Sequence, residues 1–310
     1  MYLDNYNFNE RTNERTNERT KHAYLILCHN KFDLLKKQLT LLDDERNDIY
    51  IHVDKKTVNF PKQELENAVC NSKVFWVKRI RVNWGGYSII KAELSLLEAA
   101  CKRKYSYYHL ISGMDLPIKT QDFIHKFFVE NYGKEYVRFD PDCTRKNEYE
   151  NRVKYYYFFQ DIIGRNNGYL FYILDKMQAV LLKVQKVLKV NRLNSGLEIR
   201  KGTNWFSITH KFAEYVISKK NLIEKQCKFS HCADEIFLQT ILWNSPFKNV
   251  IVDNSLRLID WKRGNPYTFL KSDYDEIIKS DKLFARKFDP NIDSEIIDMI
   301  YKKLKSGRAL

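Results

Sequence analysis

Short apolar runs alternate with longer segments of helical periodicity, and this alternation most constrains the fold. AYLILC (23–28) precedes FDLLKKQLTLL (32–42), whose leucines recur at helical spacing, and DIYIHVD (48–54) follows. A strand, a helix and a second strand at this spacing make a βαβ unit with parallel strands. The pattern repeats between VFWV (74–77) and YYHLIS (107–112). We therefore expect an α/β fold, with a Rossmann-type sheet and helices on both faces.

Residues that follow the predicted strands are the first candidates for a binding site. Ligands of open α/β sheets bind beyond the carboxyl ends of the strands, where His29, Asp54, Gly113 and Asp115 fall. Gly113 lets backbone approach a ligand closely, because it has no Cβ. Asp115 has two interpretations: a carboxylate at the crevice, or a turn residue before a proline.

The net charge of +14 on 310 residues indicates a partner that carries negative charge. Nucleic acid, an anionic membrane surface and phosphorylated small molecules all satisfy this condition. The basic residues are spread along the chain without a dense Lys/Arg block, so we expect no nucleic-acid partner. The six cysteines are dispersed and form no CxxC pair, which favours reduced thiols in a cytosol over a zinc site.

The composition of the N-terminal residues sets the start of the predicted domain. Residues 9–20 read NERTNERTNERT, which has no apolar residue and would stack glutamates on one helix face. We interpret residues 1–20 as a disordered tail and 21–310 as a single domain. The polar N-terminus is not a signal peptide, and no run reaches the roughly 18–20 apolar residues of a membrane span.

Residues 140–200 have a different character, aromatic and then amphipathic and basic. Apolar residues recur at helical spacing, with lysines between them: Leu174, Met177, Leu181, Val184 and Leu188; Lys176, Lys183, Lys186 and Lys189. One interpretation is a helical insertion that packs on the core or contacts the acceptor. The other is an in-plane helix in peripheral contact with an anionic membrane.

Acids and cations of the last third complete the candidate site. Asp234 and Glu235 open a predicted helix, where acids stabilise the helix dipole or where one serves as general base. We prefer Glu235 as the base because of its longer reach. Arg263, Arg286 and Lys287 suit a nucleotide diphosphate, whose charge they would neutralise.

Tryptophans supply candidates for the acceptor side. Trp205 and Trp261 offer either a stacking face for a sugar or ordinary core packing. A metal site needs two or three oxygen ligands, and SGMD supplies a single acid, so we expect no metal. The chain contains no GxxxxGK[ST], GxGxxG or GxSxG motif, which argues against P-loop NTPases, Rossmann dehydrogenases and α/β-hydrolases.

The motifs in their order resemble the core-2/I-branching β-1,6-N-acetylglucosaminyltransferase and xylosyltransferase family. The resemblance runs from about Lys21 to Asp289. The segments that carry it are YLILCHNKFDLLKKQLTLL with IYIHVDKK, VNWGGYSIIKAEL, YYHLISGMDLPIKT, GTNWFSIT, ADEIFLQTIL and LFARKFD. Ala233 stands where the family has a proline.

This resemblance implies a GT-A-type glycosyltransferase that transfers a sugar from a UDP-sugar with inversion and without a metal or other cofactor. It implies that Glu235 is the catalytic base, that Lys287 and Arg263 hold the diphosphate, and that His29, Asp54 and Asp115 bind the donor. Trp205, Asp234 and Trp261 remain the acceptor-side candidates.

The resemblance together with the missing anchor and disulfides leads us to expect a bacterial, cytoplasmic enzyme, peripheral at most to the inner face of the membrane. It would add a sugar, GlcNAc in most of the family, to a glycan or lipid-linked acceptor. The alternative is a basic module that binds nucleic acid or membrane and has lost its sugar-nucleotide site.

Overall fold

Ten strands build two sheets in the computed structural model, which describes residues 21–141, 146–193 and 196–306. In chain order the strands are β1 His22–Cys28, β2 Asn47–Val53, β3 Lys73–Trp76, β4 Tyr107–Ser112, β5 Asp115–Pro117, β6 Glu135–Phe139, β7 Gly202–Thr209, β8 Ile251–Val252, β9 Arg257–Ile259 and β10 Phe284–Arg286. The central sheet has the order β3-β2-β1-β4-β7-β6-β8, and the second sheet has the order β5-β10-β9.

Helices connect most of these strands. In the described residues they are α1 Phe32–Leu42, α2 Lys62–Glu66, α3 Tyr87–Ala100, α4 Gln121–Glu130, α5 Lys146–Lys154, α6 Gln160–Ile163, α7 Tyr169–Val187, α8 His210–Ser218, α9 Lys220–Cys227, α10 Phe237–Trp243, α11 Tyr274–Lys279 and α12 Glu295–Ser306. Short 3-10 turns cover Ala233–Glu235, Lys248–Val250 and Lys271–Asp273.

Strands β3, β2, β1 and β4 are parallel neighbours, as the alternating pattern predicts. Leu25 of β1 packs in a core that contains Ile90 of α3, whereas Ile26 packs in a second core with Leu35 of α1. Successive strand residues point to opposite faces, so both faces of this sheet are covered by helices. The predicted α/β class with helices on both faces is confirmed.

Strand β7 reverses the direction of the sheet. It is antiparallel to both β4 and β6, and its last residues pair with the first residues of β4, Thr209 with Tyr107. The start of β7 therefore lies at the edge where β1, β2 and β4 end. Thr209 accepts a hydrogen bond from the Phe212 amide at 3.4 Å and caps α8, as its position in the sequence predicts.

The second sheet brings the C-terminal part of the chain to the end of β4. Strand β10 pairs antiparallel with β5, with Arg286 opposite Asp115, and parallel with β9, with Arg286 opposite Ile259. A third core of buried residues, including Leu116, Ala285 and Ile297, joins this sheet to α12. The strand end that carries Asp115 is thus physically joined to the basic segment 286–287.

Helices α5, α6 and α7 occupy the segment between β6 and β7. The buried residues of α7 are Gln178 and Gln185, while Met177, Val184 and Leu188 are exposed. Leu174 and Leu181 are partly buried, so the apolar residues of this segment are divided between a face that packs on the protein and a face that is exposed. No helix in the described ranges combines the length and the hydrophobicity that a membrane crossing requires. Residues 1–20, predicted to be a tail, lie outside the described residues.

Candidate active site

Glu235 lies at the end of the 3-10 turn Ala233–Glu235, between two cations. Its Oε2 accepts a hydrogen bond from Arg152 Nη1 at 2.9 Å and lies 3.5 Å from Lys201 Nζ. Lys201 also pairs with Asp140, at 2.6 Å. The Glu235 side chain keeps 34% of its surface exposed. The carboxylate is therefore held in place and is also reachable by a ligand.

Asp234, its neighbour, faces the interior. Its Oδ1 is inaccessible to solvent and makes no hydrogen bond. Burial, and secondly the charge of Glu235, raise the pKa of Asp234 to about 7. Glu93 of α3 is fully buried beside it, and burial raises its pKa well above the usual range. The turn therefore has an inner acid, Asp234, and an outer acid, Glu235, whose carboxylate is accessible.

A glycine turn supports this 3-10 turn from the other side. Gly85 adopts φ +72°, and its carbonyl accepts a hydrogen bond from the Cys232 amide at 2.8 Å. A Cβ at Gly85 would lie 3.0 Å from Gln160 Nε2 and 3.1 Å from Cys232 Sγ. The Trp84-Gly85-Gly86 segment thus positions the residues that lead to Glu235.

Asp161 of α6 caps the N-terminus of α3. Its carboxylate accepts hydrogen bonds from the Tyr87 amide, the Ser88 amide and Ser88 Oγ at 3.1, 3.1 and 2.6 Å. A Cβ at Gly86 would lie 2.0 Å from Asp161 Oδ1, so only glycine admits this cap. The helix begins at Tyr87, and its cap comes from an acid that is distant in the sequence.

Arg286 and Asp115 form the second part of the site. Asp115 is fully buried; Ser112 donates to it from its amide at 2.9 Å and from Oγ at 2.6 Å, and Arg286 Nη1 lies 3.5 Å away. The guanidinium carbon of Arg286 lies 4.0 Å from the ring centroid of Trp205. Trp205 is 7% exposed. Asp115 and Trp205 therefore fix the orientation of Arg286, whose buried Nη1 has no hydrogen-bond acceptor.

Arg257 lies between β4 and β7 where the pairing of these two strands ends. The β4–β7 ladder stops at His109 and Ser207, and beyond it Arg257 Nη2 donates to the carbonyls of Leu110 and Phe206 at 2.9 and 2.7 Å. Burial lowers the pKa of Arg257 to about 9. The guanidinium replaces direct strand pairing, so β4 and β7 diverge towards the edge where the site lies.

The remaining strand-end candidates lie at the same edge of the sheet. His29 is exposed after β1, and its carbonyl accepts a hydrogen bond from Thr57 Oγ1 at 2.8 Å. Asp54 after β2 accepts one from the Lys56 amide at 2.8 Å and is 8% exposed. A Cβ at Gly113 would lie 2.9 Å from the Cβ of Cys28. The close approach that requires this glycine is therefore to the neighbouring strand end.

Lys287 joins this edge through its neighbours. Its carbonyl accepts a hydrogen bond from the Phe269 amide at 3.0 Å, and Asp289, two residues later, pairs with Lys31 at 2.6 Å. Lys31 follows the His29–Asn30 strand end. The loop after β1 and the segment after β10 are thus in contact, which places Lys287 on the side of His29.

Arg263 and Trp261 lie on the loop between β9 and α11. Arg263 is held by carboxylates, with Nη1 2.6 Å from Asp273, Nη2 3.0 Å from Glu276 and a further pair to Asp260. Trp261 is 52% exposed. Arg263 therefore fixes the shape of this loop, and Trp261 presents a ring to solvent beside it.

Strand β7 connects the two parts of the site. Lys201, which contacts Glu235, directly precedes β7, and Trp205, which contacts Arg286, is four residues further on. Four strand residues span about 13 Å. The carboxylate of Glu235 and the guanidinium of Arg286 are thus each in contact with a residue in or next to β7.

Several residues of this site were not nominated from the sequence. Arg152, Glu93, Asp161 and Lys201 all position the turn that carries Glu235. Glu93 and Lys201 lie in or beside quoted motif segments, VNWGGYSIIKAEL and GTNWFSIT, which was a signal that could have found them. Arg152 and Asp161 lie in the helical region, which carried no such signal.

The ranges that the structure describes contain no group of three or more His, Cys, Asp or Glu side chains arranged to hold a metal ion. The five cysteines within those ranges, Cys28, Cys70, Cys101, Cys227 and Cys232, are free thiols. Burial raises the pKa of Cys28, Cys101, Cys227 and Cys232 to about 12, so these thiols are unreactive at neutral pH.

Xylosyltransferases are among the known proteins whose sequences are similar to this chain. Xylosyltransferase 2 of Canis lupus familiaris is 23% identical over 306 residues, which cover 90% of this chain and 33% of that protein. Xylosyltransferase 1 of Rattus norvegicus is 24% identical over 311 residues, 90% of this chain and 35% of that protein. The crystal structure of mouse xyloside xylosyltransferase 1 in its apo form aligns with a TM-score of 0.38 and 9% identity, covering 85% of this chain and 96% of that one.

The chain spans about a third of the length of these curated relatives. The family profile described as "Branch: Core-2/I-Branching enzyme" matches residues 22–278. This match includes Glu235, Asp115 and Trp205 and ends before β10, the strand that carries Arg286. Since it extends over most of the sequence, the chain belongs to the Core-2/I-Branching enzyme family.

Proposed function

We propose that this protein is a GT-A-type inverting glycosyltransferase that uses a UDP-sugar and needs no metal ion. Family membership and the similarity to xylosyltransferases support sugar transfer from a nucleotide sugar. We propose UDP-GlcNAc as donor, with UDP-xylose as the next candidate. The acceptor is a hydroxyl of a glycan or lipid-linked glycan in surface polysaccharide or glycolipid synthesis. The free thiols fit a bacterial, cytoplasmic enzyme.

Glu235 acts as general base in this proposal. It takes the proton of the acceptor hydroxyl while that oxygen attacks the anomeric carbon. The bond between this carbon and the diphosphate oxygen breaks at the same time, and UDP leaves with the electron pair. One displacement inverts the anomeric centre. The observation that carries the proposal is the accessible Glu235 carboxylate, held by Arg152 and Lys201 while Asp234 faces inward.

Cationic side chains stabilise the leaving group. Arg286 is oriented by Asp115 and Trp205 and keeps 15% of its side-chain surface exposed, so the N–H groups that face away from Asp115 suit a diphosphate oxygen. Lys287 follows it in the chain. Arg263 contributes indirectly by holding the loop before β10 through its three carboxylate partners.

The other candidates divide between donor and acceptor. His29, Asp54 and Gly113 line the donor edge, where Asp54 would bind ribose or sugar hydroxyls. Trp261, with its exposed ring, is the acceptor-side residue best placed to stack on a sugar. Trp205 acts through Arg286, and Asp234 acts by keeping Glu235 outward.

UDP release from UDP-GlcNAc and from UDP-xylose tests the proposal. We expect Glu235→Gln to lower turnover by about 10²–10⁴-fold while UDP affinity stays unchanged. Glu214→Gln, at an exposed glutamate of α8, is the matched control. Turnover of Glu235→Gln equal to that of the control would exclude Glu235 as base.

A second measurement separates metal-free chemistry from metal-dependent chemistry. We expect UDP release to persist in EDTA, because the cationic residues neutralise the diphosphate. Complete loss of activity in EDTA, restored by added Mn²⁺, would overturn the metal-independent mechanism and leave Glu235 as base.

A further inference from the structure

Helix α7 is attached to the protein by its polar residues. Gln178 and Gln185 are its buried side chains, two turns apart on one face. Gln185 accepts a hydrogen bond from the Tyr156 amide at 2.7 Å, Gln178 accepts one from the Phe159 amide at 3.1 Å, and both side chains donate to the Tyr156 carbonyl. The face of α7 that packs on the protein is thus hydrogen-bonded to segment 156–159.

The opposite face of α7 is apolar and open to solvent. Six of its side chains, between 37% and 81% exposed, recur at intervals of three or four residues: Tyr169, Ile173, Met177, Val180, Val184 and Val187. This spacing places them in one continuous stripe along the helix. A contiguous apolar surface of this size marks an interaction site rather than ordinary solvent-facing surface.

Lysines lie along one edge of the stripe. Lys176 and Lys183 are seven residues apart, so they lie on the same side of the helix; Lys186 is also exposed, and Lys176 lies over the Tyr172 ring at 5.0 Å. Asp175 is the one acid within α7. The helix therefore combines an apolar stripe with a positive edge.

We propose that α7 binds in the plane of an anionic lipid surface. Its stripe would enter the boundary between headgroups and acyl chains, and Lys176 and Lys183 would bind the negatively charged headgroups. Tyr169 and Tyr172 are suited to the polar boundary of a bilayer. The net charge of +14 attracts the whole protein to the same surface.

A second copy of the chain fits this face less well. Two copies related by a two-fold axis perpendicular to α7 pair their helices antiparallel, and each edge then faces the same edge of the other copy. Lys176 and Lys183 would face each other across that axis, and the two copies of α7 together offer two Asp175 carboxylates against these four lysines. Anionic headgroups supply the missing negative charge.

Segment 156–159, which binds α7, is also in contact with residues near Glu235. Tyr157 stacks on His231 with ring centroids 5.4 Å apart, and the His231 amide donates to the Arg152 carbonyl at 3.0 Å. Arg152 is the partner of Glu235. A lipid surface bound at α7 is thus linked to the candidate site by a short chain of contacts.

Co-sedimentation of the full chain with vesicles tests the proposal. We expect binding to phosphatidylcholine vesicles that contain phosphatidylglycerol, and at least about tenfold weaker binding to phosphatidylcholine alone. The double substitution Val180→Gln with Val184→Gln should weaken binding about tenfold or more. Its matched control is Val58→Gln with Val129→Gln, at valines elsewhere in the protein that are at least as exposed.

The charge contribution has its own pair of variants. Lys176→Gln with Lys183→Gln should weaken binding about 20-fold, and Lys302→Gln with Lys303→Gln, at exposed lysines of α12, should change it little. Release of UDP from UDP-GlcNAc should be unchanged in all four variants, which keeps this test separate from that of the proposed reaction. Equal sedimentation of the α7 variants and their controls would overturn the proposal. So would light scattering that shows a dimer dissociated by the α7 substitutions, since the face would then belong to a second copy.

Discussion

The guanidinium of Arg286 lies over the indole ring of Trp205, with 4.0 Å between its central carbon and the ring centroid. The two residues come from β10 and β7, so the contact joins the second sheet to the central one. A stacked guanidinium keeps its N–H groups directed in the plane of the group, where a phosphate oxygen can accept them. In the proposed function, this contact orients Arg286 for binding the diphosphate of the donor.

Replacing Trp205 tests this arrangement. We expect Trp205→Leu to weaken UDP binding, measured by calorimetry, by about 3-fold to 30-fold, because the stacking partner of Arg286 is lost. Trp205→Phe should retain most of the affinity. Phe75→Leu is the control, since it removes another arginine–aromatic contact, with Arg103 at 4.8 Å. UDP affinity that falls equally in the Phe75 variant would argue against a specific role for Trp205.

Lys201 should affect turnover rather than donor binding. Its Nζ lies between the carboxylates of Asp140 and Glu235, so it helps to hold the carboxylate of the proposed base in place. Lys201→Met should lower the rate of UDP release at saturating UDP-GlcNAc by about tenfold or more, with UDP affinity within about twofold of the original. Lys211→Met, at an exposed lysine of α8, should leave both unchanged. The reverse pattern, weaker UDP binding at an unchanged rate, would place Lys201 on the donor side.

The inward acid makes stability depend on pH. The pKa of Asp234 rises from its ordinary value of 3.8 to about 7 on folding, chiefly by burial. The folded state thus binds the proton more tightly, so the free energy of unfolding falls as pH rises from about 4 to 7, by up to about 1.4 kcal/mol per pH unit. Asp234→Asn cannot ionise, so urea unfolding should show the variant gaining stability relative to the original protein between pH 5 and pH 8. A difference that is constant over this range would mean that Asp234 is ionised throughout.

Asp161 should stabilise α3 through its N-terminal hydrogen bonds. Asp161→Ala removes three acceptor contacts, and we expect the free energy of unfolding to fall by about 1–2 kcal/mol. The exposed Asp175→Ala on α7 should change it by less than about 0.5 kcal/mol. Equal effects of both substitutions in urea denaturation would show that the cap is not formed in solution.

The sequence predicted local features better than contacts between distant segments. The parallel strands and the Thr209 cap follow from apolar runs and a single hydroxyl, both of which act within a few residues. Gly113 was expected to approach a ligand, but its required close neighbour is Cys28, 85 positions earlier. The caps and pairs made by Asp161 and Arg152 likewise span more than 70 residues, and no local pattern encodes them.

Helix α7 also shows that a local sequence pattern does not determine how an element packs on the rest of the protein. Periodicity indicates an amphipathic helix, but the apolar residues that it groups together divide in the structure: Leu174 and Leu181 are partly buried, whereas Met177, Val184 and Leu188 are exposed. Gln178 and Gln185, which a hydropathy pattern counts as polar, are hydrogen-bonded to segment 156–159. The apolar residues on the opposite face of α7 are therefore exposed to solvent.

The position of β10 in the middle of the second sheet has a consequence for biosynthesis. The strand that carries Arg286 lies between β5 and β9, and both of these neighbours are synthesised before it. A ribosome-bound chain that stops before residue 284 can form the parallel strands and their helices, yet its Asp115 carboxylate has no guanidinium to bind. Nucleotide recognition should therefore arise late in synthesis, once the last helix has left the exit tunnel and drawn β10 into place.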